Sequence, residues 1–280
     1  TGVSMVDINN DGWLDIYVCS VVGIHGFVGH NELYINQQDG TFKEEASSYG
    51  LAIQNYSTSS AFFDYDKDGD LDMYLLNHGI HNTSNFFGVE RRDSYNEMSS
   101  DKFYKNENGQ FIDVTMETNL FGGEVGYGLA VCINDINSDG WDDIYVSNDF
   151  FEDDYLYINQ KNGSFKEQSH KYLSQTSQFS MGNDISDINH DGLVDIITLD
   201  MLPEDEKVLK NSLGEINYNS LVRRKSLGYN YQFPRNHLQI NTGVDKFFEI
   251  GLFSGISATD WSWAPVFADF DNDGYKDLVI

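Results

Sequence analysis

The chain has 280 residues and a formal net charge of −28, from 45 acidic against 17 basic side chains. Such a charge repels nucleic-acid phosphates and anionic membranes, which makes both poor partners. The 40% apolar and 14% aromatic content is too high for a disordered polyanion, and no apolar run approaches the ~20 residues that span a membrane.

Thr1 opens directly into a strand-like stretch with no basic–apolar–small signal segment, so a leader or further sequence is expected upstream. The first acidic phrase follows at Asp7–Asp15, with the pattern D-x-[DN]-x-D-G-x-x-D. It returns at Asp64–Asp72, Asp135–Asp143, Asp187–Asp195 and Asp269–Asp277, at starts 57, 71, 52 and 82 residues apart. Each copy runs into a β-type apolar segment: IYVCS, MYLLN, IYVSN, IITLD and LVI. A second phrase recurs between them, at Asn31–Asn36, Asp101–Asn106, Asp154–Asn159 and Asn236–Asn241. A glycine turn and an aromatic follow each one: Gly40 and Phe42, Gly109 and Phe111, Gly163 and Phe165, and more loosely Gly243 and Phe247.

The shortest interval shows the unit most plainly. Strands are predicted at Gly128–Ile133, Ile144–Ser147, Asp154–Asn159 and from Ser164 to Glu167, with turns between them. Four short strands per unit of roughly 50 residues is the signature of a β-propeller blade. Two intervals carry insertions, at 78–100 and 200–235. In the second, Pro203 ahead of acidic residues marks a helix start, and one or two short helices are expected over one face of the array. The basic cluster Arg223–Lys225 is expected to pair with neighbouring carboxylates, with ligand binding as the alternative.

The acidic phrase has the chemistry of a calcium loop. Calcium takes roughly 6–8 oxygen ligands, and a glycine at position 6 lets the backbone turn so that alternate side chains converge. Positions 1, 3, 5 and 9 would supply side-chain oxygens and position 7 a main-chain carbonyl. The candidate metal residues are therefore Asp7, Asn9, Asp11, Trp13 and Asp15; Asp64, Asp66, Asp68, Asp70 and Asp72; and Asp135, Asn137, Asp139, Trp141 and Asp143. The last two loops add Asp187, Asn189, Asp191, Leu193 and Asp195, and Asp269, Asp271, Asp273, Tyr275 and Asp277. Up to five Ca²⁺ would offset ten of the 28 net negative charges. An EF-hand would need a glutamate at position 12 between helices. Here that position holds Val18, Leu75, Val146, Thr198 and Ile280, each in a strand-like run. A plain Asp-Gly hairpin turn would need no oxygens at positions 1, 3 and 9, and all five copies keep them.

These acidic phrases resemble the FG-GAP/VCBS repeat of the integrin α-subunit propeller, in which such loops bind calcium. Residues 200–205, 235–241 and 259–274 are similar in order and spacing to secreted bacterial VCBS-repeat proteins akin to cartilage acidic protein, which often carry an ASPIC/UnbV domain. No ASPIC/UnbV segment is present. The resemblance covers residues 1–280 and implies an all-β fold: a β-propeller of four-stranded blades, about four and a half in this chain, as a fragment of a seven-bladed ring. It is specific for fold and calcium and weak for biochemical role.

Catalytic signatures are missing: no G-x-S-x-G elbow, no H-E-x-x-H and no phosphate-binding glycine loop occurs. His78 and His81 share the first insertion and are expected to be solvent-exposed loop histidines, with metal binding as the alternative, and His190 occupies position 4 of its loop and should face water. Cys19 and Cys132 are expected to be free thiols packed in strands. Trp261 and Trp263 are expected to pack one face of the core, with carbohydrate stacking as the alternative, and the sequons at Asn55, Asn82 and Asn162 are attributed to chance. The expected function is a calcium-binding, non-enzymatic adhesion or binding scaffold that is extracellular, periplasmic or on the outer cell surface. Its partner would be a protein or carbohydrate ligand bound at the insertions. A lyase-like enzyme acting on polysaccharide is the alternative.

Overall fold

The computed structural model describes residues 2–24, 26–80, 88–121, 123–212 and 218–280. Four four-stranded antiparallel sheets follow one another along the chain, each laid down in sequence order. The first contains β1 (Val3–Val6), β2 (Asp15–Val18), β3 (Glu32–Asn36) and β4 (Phe42–Glu44). The second contains β5 (Ser57–Phe63), β6 (Asp72–Asn77), β7 (Lys102–Glu107) and β8 (Gln110–Asp113). The third contains β9 (Gly128–Asn134), β10 (Asp143–Asn148), β11 (Tyr155–Asn159) and β12 (Phe165–Glu167). A two-residue strand, β13 (Thr176–Ser177), precedes the fourth sheet, which is built from β14 (Gly182–Ser186), β15 (Asp195–Leu199), β17 (His237–Asn241) and β18 (Phe247–Glu249). β13 pairs in parallel with β16 (Gln232–Phe233). β19 (Val266–Ala268) and β20 (Asp277–Val279) form an antiparallel pair around the last acidic phrase. These are the four-stranded blades of an all-β propeller fold.

The acidic phrase fixes where strands turn. Its ninth residue is the first residue of the second strand in every copy: Asp15, Asp72, Asp143, Asp195 and Asp277. The preceding eight residues make the turn from the first strand. In β6, β10 and β15 every residue is buried, because both faces of these strands are covered, and a strand covered on both faces needs a nearly continuous apolar run. That explains why MYLL, IYV and IITL lack polar–apolar alternation.

By internal packing the chain divides into two compact units. In the first (Thr1–His81, Arg91–Gly128 and Asn159–Phe165), Tyr17, Leu33 and Ile35 share a buried cluster with Met73, Leu75 and Phe111. The Phe62 ring meets the edges or faces of Tyr17 and Phe111 at 5.6 and 6.2 Å. A second aromatic group joins Tyr65, Phe103 and Phe165, with Tyr65 and Phe103 ring centres 4.7 Å apart. In the other unit (Asn82–Glu90, Leu129–Ile158 and Lys166–Ile280), Ile136, Tyr145 and Leu156 pack on Ile196 and Phe247. There Ile197, Leu199 and Leu238 pack on Phe267 and Leu278. Within each unit, successive sheets are thus joined by side chains from facing surfaces.

A one-turn helix follows the fourth strand in three blades: α1 (Ala46–Tyr49), α2 (Thr115–Thr118) and α3 (Ser169–Tyr172). Each is started by an acid two residues upstream: the Ala46, Thr115 and Ser169 N–H groups donate to Glu44, Asp113 and Glu167 at 2.9, 3.0 and 2.6 Å. The sequence expectations did not include these turns. Both insertions connect a second to a third strand, so they leave their sheets at the end opposite the acidic turns. The second holds α4 (Glu206–Leu209) and α5 (Tyr218–Ser226). The helix begins at Glu206 and not at Pro203, because the Asp205 carboxylate caps it by accepting from Lys207 and Val208 N–H at 2.8 and 2.9 Å. Among the described residues no helix is long and apolar enough to cross a membrane.

At the insertion end each blade is pinned the same way. The Asn or Asp that precedes or opens the third strand accepts the N–H of the residue leaving the second. The pairs are Ser20 to Asn31 (2.7 Å), Asn77 to Asp101 (2.8 Å), Asn148 to Asp154 (2.9 Å) and Asp200 to Asn236 (2.7 Å). The Tyr74 and Tyr145 hydroxyls donate to the other carboxylate oxygen of Asp101 and Asp154, at 2.5 and 2.8 Å. Burial pushes both carboxyls up to about 7, against the pull of these donors. The folded chain therefore keeps a proton on Asp101 that the unfolded chain releases near pH 4, and this residue's contribution to stability falls as pH rises from about 4 to 7. Asp101→Asn is isosteric and cannot ionise. Denaturation at pH 5 and pH 7 is expected to show wild type losing about 2 kcal/mol relative to the variant on going to the higher pH. A difference between the two proteins that is constant with pH would refute the protonated carboxyl.

Candidate metal centres

All five acidic turns adopt one backbone shape. The fourth residue is left-handed in each, with φ between 56° and 62° at Asn10, Lys67, Ser138, His190 and Asn272. The sixth is a glycine with φ between 85° and 100°. A Cβ added at Gly12, Gly69, Gly140, Gly192 or Gly274 would meet nothing within 4 Å, so conformation and not crowding demands glycine there.

This shape aims main-chain donors at side-chain oxygens. The first carboxylate accepts the N–H of residue 5, at 2.9–3.2 Å, and of the glycine, at 2.7–3.1 Å, in every copy. The fifth accepts the N–H of residue 7 (Trp13, Asp70, Trp141, Leu193 or Tyr275) at 2.8–3.3 Å. Positions 1, 5 and 7 are thus tied together within one turn. In loop 64–72, ligand oxygens of Asp64, Asp66 and Asp72 lie within 4.8 Å of one another, as do those of Asp269, Asp271 and Asp273 in the last loop. In the other three loops position 3 is an asparagine, and Asn9, Asn137 and Asn189 donate their amides to the position-5 carboxylate at 3.2, 3.1 and 3.0 Å.

The ninth position behaves differently from the rest. Asp15, Asp72, Asp143 and Asp195 are fully buried. One oxygen accepts the N–H of residue 2 of the loop: Ile8 (3.1 Å), Tyr65 (3.4 Å), Ile136 (3.0 Å) and Ile188 (3.2 Å). In three blades the other accepts the N–H of the asparagine in the third strand: Asn36 (2.8 Å), Asn106 (2.8 Å) and Asn241 (2.9 Å). Burial raises the Asp15 and Asp195 carboxyls and pushes Asp72 up to about 7, partly opposed by those N–H groups.

The donor set fits a hard divalent cation. Carboxylate oxygens converge in loops 64–72 and 269–277, and in loop 64–72 the buried Asp66 Oδ1 and Asp70 Oδ1 have no hydrogen-bond partner.

Sequence reasoning recognised the third-strand asparagines as a repeat and gave them no role. Asn36, Asn106, Asn159 and Asn241 each accept, through the side-chain oxygen, an N–H of the following turn at 2.7–3.0 Å. The Asn159 amide donates to Tyr65 O at 2.9 Å, and that of Asn241 to Ile136 O at 2.9 Å, reaching the acidic turn of another blade. Their recurring place at the end of the third-strand phrase was the available signal.

Other expectations divide. Trp261 and Trp263 are 61% and 60% exposed, so they do not fill the core: they lie in the connection ahead of β19, which starts only at Val266. His190 is exposed and stacks on Tyr275 with ring centres 4.9 Å apart. His78 meets the Tyr127 ring at 4.3 Å, and its proposed companion His81 lies outside the described residues. Cys19 and Cys132 are free thiols, and burial pushes them up to about 11 and 12. Arg224 is buried and donates to Gln232 Oε1 at 3.1 Å, while Lys225 stacks 4.1 Å from the Tyr231 ring centre. Asn55 is buried, Asn162 caps an exposed turn, and Asn82 lies outside the described residues.

The buried ninth aspartate should be needed with or without a cation. Asp195→Ala leaves the Ile188 and Asn241 N–H groups unpaired, and chemical denaturation in excess chelator is expected to show a loss of about 2–4 kcal/mol. Asn189→Ala, in the exposed part of the same loop, should cost under about 1 kcal/mol in chelator. Equal losses would show that Asp195 acts only through a bound ion.

The FG-GAP-like repeat profile matches residues 7–75 and 135–198, which contain four of the five acidic turns. Mouse (Mus musculus) integrin alpha-3 is 26% identical over 206 residues, a match covering 67% of this chain and 19% of the integrin. The chain thus corresponds to about a fifth of that relative's length. Among solved structures, an Agrocybe aegerita lectin described as recognising non-reducing terminal N-acetylglucosamine aligns over 99% of this chain and 59% of its own, at 13% identity and TM-score 0.47. The exotype rhamnogalacturonan lyase YesX aligns over 71% of this chain and 39% of its own, at 18% identity and TM-score 0.38. The recurring turns, the four-stranded sheets and the profile match agree: the chain carries FG-GAP-like repeats on four-stranded propeller blades and is similar in sequence to an integrin alpha subunit.

Proposed function

We propose that the protein is a calcium-stabilised extracellular or cell-surface propeller that binds a protein or carbohydrate ligand and performs no chemistry of its own. The observation that carries this reading is the identical backbone geometry of the five acidic turns. Bound Ca²⁺ would be held by the side chains at positions 1, 3, 5 and 9 and a carbonyl at position 7. It would neutralise carboxylates that otherwise repel one another and would hold the first two strands of each blade together. Sites of modest affinity fill at roughly 10⁻⁴–10⁻³ M calcium, the extracellular range.

The ligand surface in this reading lies at the insertion end of the sheets, away from the turns. Loops carried on a rigid scaffold are where binding residues concentrate. The exposed indoles of Trp261 and Trp263, in a connection at the same end of their sheets as the insertions, support carbohydrate stacking as one mode.

Thermal unfolding in excess EDTA and in millimolar calcium tests the metal. Each site at ten times its Kd adds about 1.4 kcal/mol, so several sites together should raise the melting temperature by many degrees. An unchanged midpoint would overturn the calcium reading. Incubation with uronic-acid and neutral glycans tests the absence of catalysis: binding without unsaturated products or new reducing ends is expected, and product formation would make the protein a lyase or hydrolase.

A further inference from the structure

Loop 64–72 has an acidic residue at position 7, and the third strand of its blade carries a lysine that reaches the same turn. Position 7 is Asp70, where the other loops carry Trp13, Trp141, Leu193 and Tyr275. This gives loop 64–72 five aspartates, Asp64, Asp66, Asp68, Asp70 and Asp72, in nine residues. Across from it, the residue before the third-strand asparagine is Lys105, where the other blades have Ile35, Ile158 and Ile240. β7 holds Lys105 in a register that pairs it with Ile112, in the sheet whose second strand begins at Asp72. Its ammonium is ion-paired with Asp66 and, at 3.1 Å, with Asp68. The ammonium also lies over the ring of Tyr65, the second residue of the turn, 5.9 Å from its centre.

Asp66 is also one of the three aspartates whose oxygens converge within 4.8 Å. The ammonium and a divalent ion would therefore draw on the same carboxylate. The pair is partly shielded, with side-chain exposures of 25% for Lys105 and 21% for Asp66, so it is screened less than a surface pair.

Building on the calcium reading of the turns, we infer that Lys105 is a built-in counter-cation for loop 64–72: it keeps this turn ordered when no divalent ion is bound and lowers the turn's affinity for one. The lysine matches the extra negative charge of Asp70, which would otherwise add repulsion to an already crowded set of carboxylates. The other blades, with an apolar side chain at that position, have no such ammonium from the third strand. A divalent ion entering loop 64–72 must share or displace Lys105, whereas the three blades with isoleucine at that position present no third-strand ammonium to their turns.

Hydrogen–deuterium exchange read by mass spectrometry resolves the loops one by one across a calcium titration of the full chain. In chelator, peptides covering 64–72 should be better protected in wild type than in Lys105→Ile, the residue native to the other blades. With calcium, Lys105→Ile should shift half-protection of 64–72 to about tenfold lower concentration and leave the other loops unmoved. The reverse change, Ile240→Lys, should weaken loop 187–195 by a similar factor, and Lys105→Met serves if the isoleucine variant does not fold. Unchanged or weakened calcium binding at 64–72 in the folded Lys105 variants would overturn the inference, as would unaltered protection there in chelator. If no loop of any variant responds to calcium, the calcium reading itself fails, while the chelator comparison still decides whether Lys105 orders the turn.

Discussion

The structure depends on a buried carboxylate at the point where each acidic turn becomes a strand. Asp15, Asp72 and Asp195 use one oxygen to close their own turn and the other to hold the third strand of the same blade. Taking a carboxylate out of water is costly, and the upward shift of all three residues records that cost. The offset comes from paired main-chain N–H groups that would otherwise be orphaned at the strand ends. Without this residue the turn, the second strand and the third strand would be three separate segments with no shared anchor.

The two ends of each blade solve related problems with different residues. At the turn end, an aspartate on the second strand reaches to the third. At the insertion end, an Asn or Asp ahead of the third strand reaches back to the residue leaving the second. The second strand is therefore pinned at both ends. The connection after it can then vary in length, from the few residues between β10 and β11 to the long helical segment between β15 and β17, without disturbing the register.

Much of this was legible in the sequence because it is periodic. Strand positions in the third blade, the glycine turns and the gathering of positions 1, 3 and 5 all follow from spacing and from the φ that only glycine takes easily. What was missed lacks that kind of signal. Asp15 and Asp7 are the same residue type in one phrase, and only the structure shows that the former is fully buried and reaches the third strand while the latter is half-buried and serves its own turn. The exposed positions of Trp261 and Trp263 were misread because alternation beside a strand resembles alternation within one. The one-turn helices arise from single acids two residues upstream, a signal too short to stand out among 45 acidic residues.

The insertions leave the sheets at the end opposite the acidic turns, and this sets a length scale. A second strand of six residues, as in β6 and β10, spans about 20 Å, more than twice the Debye length of about 8 Å at physiological ionic strength. A ligand docked among the insertions would barely feel the direct field of an ion in the turns. Any influence of the ion on recognition must travel as stiffness along the pinned second strand, so salt and calcium should act on such a protein as independent variables.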